Sequence, residues 1–143
     1  MIRPELRAFD FSDVDPKTGR GLDDPEYFGT PMLCLVAPSD APRSLQGHPV
    51  GEWFDVFACT PKWLAENMPE RGYLWGQHML IVPRWDEALL ERAVEDLLGH
   101  VAAHAERLAG DADKVDWGLI SEMLSRVTQW EYGGHNPLLP NWE

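Results

Sequence analysis

Glu52-Trp53-Phe54-Asp55-Val56-Phe57-Ala58-Cys59-Thr60-Pro61-Lys62-Trp63-Leu64 carries two structural patterns back to back. In its first half Phe54, Val56 and Ala58 alternate with Trp53, Asp55, Phe57 and Cys59, as in a strand with one face buried. Its second half opens a helix. Thr60 is a good N-cap because its hydroxyl can accept from the unpaired N–H groups of the first turn. Pro61 follows at the first helical position, where a missing N–H costs nothing and the fixed φ already suits a helix. A strand running straight into a capped helix marks where a sheet meets the next layer of the fold.

Working back from this pivot, Met32-Leu33-Cys34-Leu35-Val36-Ala37 is a continuous apolar run and reads as a central strand. Residues 3–11 read as a first strand, with Pro4 near its start as on a sheet edge. Two irregular segments, 12–29 and 38–51, are rich in Asp, Gly and Pro. The first reads as a long, loosely held excursion, and long loops in small domains tend to be functional or mobile.

Working forward, a third irregular patch (68–76) leads to Gln77-His78-Met79-Leu80-Ile81-Val82, a strand stopped by Pro83. Asp86 then caps the longest helix. Its apolar residues fall at 90, 93, 94, 97, 98, 101, 105 and 108, the stripe of a helix lying on a sheet, and Gly110 ends it. A second helix spans Trp117 to Val127 behind Asp116, although Gly118 weakens it by about 1 kcal/mol relative to Ala. Gln129-Trp130-Glu131-Tyr132 reads as a short last strand. Strands come first and helices last, so the expected fold is α+β. It is a single domain over 1–143, with a mostly antiparallel sheet and the C-terminal helices on one face.

Charge narrows the function classes. Asp plus Glu number 24 against 12 Lys plus Arg, a net charge of −12. Phosphate recognition relies on Lys and Arg, so nucleic acid and anionic membranes are not expected partners. A basic protein partner would be drawn in by complementary potential. The longest apolar runs fall far short of the ~20 residues of a membrane span, and Met1-Ile2-Arg3-Pro4-Glu5 lacks a secretory apolar block. Together with Cys34 and Cys59 in apolar runs, this points to a cytoplasmic protein with buried thiols.

Catalytic patterns find little foothold. His100 and His104 lie four apart on the long helix, with Asp96 one turn earlier. Val-Ala-Ala between them lacks the general-base Glu of a zinc-protease helix, and no third or fourth ligand suggests itself. By helical angle His104 falls within the apolar stripe and His100 at its margin, so both read as packed or half-exposed helix histidines, with no metal and no cofactor. Cys59, close before a helix start, could carry a depressed pKa with His78 as its base. The competing reading is a small hydrophobe at a strand end. Ser39, Ser44, Ser121 and Ser125 lack a nucleophile motif, and neither Gly19-Arg20-Gly21 nor Gly133-Gly134 forms a phosphate loop.

Three segments in order carry a family likeness: Val56-Phe57-Ala58-Cys59-Thr60-Pro61-x-Trp63-Leu64, then Gly76-x-His78-x-Leu80-Ile81-Val82, then Leu124-Ser125-Arg126 with Trp130-Glu131-Tyr132. Together they resemble the immunity protein 8 family of bacterial polymorphic toxin systems, in weaker form from about residue 3 to 132. Tyr132 stands where that family's final motif has Phe. The resemblance implies a small α+β protein that protects its producer by binding a cognate toxin domain, with no chemistry of its own. It implies that Trp63, His78, Arg126, Trp130 and Glu131 are scaffold, with Arg126 and Glu131 paired, His78 hydrogen-bonded nearby and the two Trp in the core. The acidic residues Asp13, Asp15, Asp23, Asp24 and Glu26, in a loop departing from the family pattern, are the expected toxin contacts. A basic, nuclease-like toxin would suit them. The alternatives are a small cytoplasmic enzyme using Cys59 and His78, or an adaptor domain serving a partner other than a toxin.

Overall fold

A computed structural model describes residues 2–12, 14, 23–74, 76 and 78–130. Four strands follow one another across the main sheet: β1 (Pro4–Phe11), β2 (Gly29–Pro38), β5 (Glu52–Cys59) and β6 (Met79–Ile81). A fifth, β7 (Gln129–Trp130), shares the far edge of β5 with β6. The class is α+β, with β1–β2 and β2–β5 antiparallel as expected. The β5–β6 pair is parallel. It has to be: β5 leaves the sheet through α1 (Pro61–Glu66), and the chain crosses back before β6 begins.

Register explains the core. Opposite residues of antiparallel neighbours share a face, so Phe9 and Phe11 of β1, Met32, Cys34 and Val36 of β2, and Phe54 and Val56 of β5 look the same way. Against them lie α2 (Glu87–Ala109) and α3 (Trp117–Val127). Helix α2 contributes Leu90, Val94, Leu98, Val101 and Ala105, and α3 contributes Ile120, Met123 and Leu124. Ser121 ties α3 to the sheet, its Oγ donating to Glu52 Oε2 at 3.1 Å.

The helix boundaries match their sequence signals. Asp86 and Asp116 each accept from the backbone three residues on, and Gly110 closes α2 at φ +78°. The sequence stripe on α2 needs two corrections. Leu108 is exposed, and so are His100 and His104. The buried arc swings toward Leu98 and Ala102, leaving His104 roughly a quarter turn from its centre. His104 Nδ1 sits 3.3 Å from Arg107 Nη2 instead.

The second irregular segment contains a hairpin that the sequence reading missed: β3 (Ser44–Leu45) and β4 (His48–Pro49). Gln46 and Gly47 between them both have positive φ, the signature of a type I′ turn. Beyond α2, a 3-10 turn (Ala112–Lys114) links to α3.

Candidate functional site

The other face of the sheet carries the pivot. Thr60 Oγ1 accepts from Trp63 N at 3.4 Å, the expected cap, and also from Phe28 N at 3.2 Å. One buried hydroxyl therefore joins α1 to the segment entering β2. Helix α1 buries no residue fully. It is held by Trp63, whose ring lies 5.0 Å from that of Phe57 and directly over Gly29. A Cβ at Gly29 would collide with the Trp63 ring, so this close approach requires glycine.

Beside α1 runs the described part of the acidic loop. Asp24 Oδ1 accepts from Glu26 N at 2.9 Å, and its other oxygen meets Lys62 Nζ at 2.9 Å. The Lys62 ammonium, helped by the Glu26 N–H, holds the Asp24 carboxyl below its usual range, and Asp24 holds Lys62 above its own. Trp85 N donates to Pro25 O, and Asn67 Nδ2 donates to the Tyr27 hydroxyl. The stretch 23–28 is thus anchored to α1 and to the start of α2, where the sequence suggested a loosely held excursion. Asp23 and Glu26 remain exposed. Asp13 and Asp15 lie outside the described residues. The neutralising role of Lys62 had no signal in the sequence, because it stands 38 positions from Asp24.

The thiol–imidazole alternative meets opposing physics. Cys59 is fully buried, and desolvation pushes its thiol up to about 11, the reverse of what an activated nucleophile needs. Cys34 is pushed up to about 12, by burial first and by the Asp55 carboxylate second. Along the ladder Cys59 lies opposite Ile81, whereas the His78 carbonyl accepts from Phe57 N at 2.8 Å. No hydrogen bond joins Cys59 to His78 among the described residues.

His78 itself has φ +58°, a left-handed conformation that histidine tolerates better than bulkier types. Its Nδ1 is buried without a hydrogen-bond partner among the described residues, where a bonded scaffold histidine was expected. Desolvation lowers its pKa. Arg126 also departs from expectation: its side chain is 69% exposed and meets Glu122 one turn back, at 3.3 Å. Glu131, its expected mate, lies outside the described residues. Trp130 is placed by its backbone alone, opposite Phe54. No group of three or more His, Cys, Asp or Glu side chains among the described residues could hold a metal ion, so His100 and His104 meet no third ligand there. No helix there is long and apolar enough to cross a membrane.

The described residues thus form an acidic α+β scaffold whose two thiols are held protonated by burial. The chain belongs to the Immunity protein 8 family, whose profile matches residues 5–134. No curated protein matches it, and no solved structure does. Membership makes the chain an immunity protein, and it implies a cognate toxin as partner.

Proposed function

We propose that this chain neutralises its toxin by binding the toxin domain inside the producing cell and occluding it, transforming nothing itself. The observation that carries this reading is the family match across residues 5–134 in a chain of net charge −12. Negative potential speeds the approach of a basic partner and holds it in orientation. A nuclease domain, whose substrate cleft must be basic, is the toxin type such a surface suits. The exposed carboxylates of Asp23 and Glu26 are the proposed steering groups, together with Asp13 and Asp15 of the same acidic stretch of sequence. Asp24 contributes less, since Lys62 already offsets its charge. A scaffolding role falls to Trp63, which holds α1 and so positions the stretch beside it.

Co-expression with a candidate toxin domain, taken from the reading frame upstream of this one, tests the reading: cells survive with the protein and die without it. Stopped-flow association of the purified pair at two salt concentrations tests steering. The expected result is a several-fold slower association for Asp23→Lys combined with Glu26→Lys, with the difference shrinking at high salt. Equal rates at low salt would remove these acids from the interface.

A further inference from the structure

Strand β1 is the open edge of the sheet: among the described residues it pairs only with β2. Ser39 N donates to Arg3 O at 2.8 Å, which sets the alternation of the ladder. Hydrogen-bonded and outward positions alternate, so Arg3 and Glu5 face β2, while Pro4 and Leu6 turn their backbone groups outward. Pro4 has no N–H to present there. Leu6 presents both a donor and an acceptor.

Next to that edge, between β1 and α2, lies a groove of about 360 Å³. Leu6, Leu98 and Ala102 give it an apolar floor, and Gly99 and Ala103 keep its helical wall low. Glu95 and Glu106 stand at its two ends, three helical turns apart, so roughly 16 Å along the axis. Neither carboxylate has an ion-pair partner among the described residues. Among the described residues Arg3, at the strand end, is the one cation lining the groove.

Gly99 is the informative residue. Glycine is among the poorest helix formers, and here it occupies the interior of a 23-residue helix. A Cβ at this position would meet nothing within 4 Å. No packing among the described residues therefore requires glycine, and a local rule is broken without a local gain. What the missing side chain preserves is the opening of the groove.

We infer that this groove takes an extended, basic segment of the cognate toxin, which adds a strand to β1 and lays an Arg or Lys stem over Leu6, Leu98 and Ala102. The backbone of Leu6 supplies the pairing, as in other strand additions to open sheet edges. Glu95 and Glu106 take the cationic heads, while the apolar floor takes the methylenes. A second copy of this chain fits poorly, because each copy brings a net charge of −12.

The inference rests on the proposed toxin binding, and the experiment separates the two. Binding of a candidate toxin domain, taken from the reading frame upstream of this one, is measured by calorimetry for the wild type and three variants. Gly99→Trp, which fills the groove, and the double variant Glu95→Lys with Glu106→Lys are each expected to weaken binding at least tenfold. Glu70→Lys, at an exposed site outside the groove, is expected to stay within twofold. Circular dichroism checks the fold of each variant; should Gly99→Trp fail to fold, the charge pair decides. Wild-type affinity in the filled or charge-reversed variants overturns the groove while leaving toxin binding intact. Failure of the wild type to bind overturns both. A wild-type dimer that Gly99→Trp dissociates would overturn the inference in favour of a second copy. Hydrogen exchange adds a readout specific to strand pairing: the Leu6 amide is expected to be protected only in the complex.

Discussion

Strands β1 and β5 are each eight residues long, yet they lead opposite lives. β5 is bonded along both edges, by β2 on one side and by β6 and β7 on the other. Among the described residues β1 is bonded along one edge, and it carries a bulge at Arg7, where the register shifts between Leu6 and Ala8. That bulge turns Arg7 back across the sheet end, where its guanidinium donates to the Pro38 and Ala41 carbonyls at 3.0 Å each and lies 3.1 Å from Glu5. A bulge of this kind twists an edge and discourages indiscriminate pairing. Fold information is concentrated in β5. Access for a partner is concentrated at β1.

The largest expected effect tests that division directly. Phe54→Ala, at a position 1% exposed in the centre of β5, should cost about 3–5 kcal/mol. Phe9→Ala, half-buried on β1, should cost less than half as much. Urea unfolding with an unchanged slope measures both, and equal losses would break the comparison. Next comes Gly29→Ala, which must displace the Trp63 ring and should cost about 2 kcal/mol, with Trp63 fluorescence shifted. Thr60→Ala removes a cap and leaves the Phe28 N–H without its hydroxyl, an expected loss of about 1.5 kcal/mol by the same assay.

The smallest effect concerns pH. Burial holds the folded-state pKa of His78 below its ordinary value, so the unfolded chain takes up the proton first. Stability from this group is complete above about pH 6.5 and declines as pH falls below it. Melting temperature between pH 7 and 5.5 should therefore fall less for His78→Asn than for the wild type. Asparagine also tolerates the positive φ there. An identical fall in both would show that His78 is not the acid-sensitive group.

Much of this architecture was legible before any coordinates. Thr60-Pro61, Asp86, Gly110 and Asp116 announced three helices, because caps and stops act on neighbouring backbone and need no distant partner. The apolar run at Met32–Ala37 announced a central strand for the same reason. The parallel β6 escaped notice because strand direction depends on how the chain returns. The β3–β4 turn escaped because Gln46-Gly47 is a weaker signal than Asn-Gly. Reading α2 from its stripe alone set His104 within the apolar stripe, because a stripe gives a period but does not fix which arc of the helix the sheet will cover.

The candidate site divides along the same line. An acidic surplus, the absence of a nucleophile motif and the three family segments are properties of the chain itself, so the sequence reached the class of protein unaided. Which carboxylates stand free was decided only by folding. Lys62 neutralises Asp24, and Arg126 turns to Glu122 on its own helix. Glu95, Gly99 and Glu106 gain meaning only once α2 lies against the open edge of β1. Local signals act over three or four residues of one backbone. A groove is made by two elements about ninety residues apart, and nothing short of their packing brings it into being.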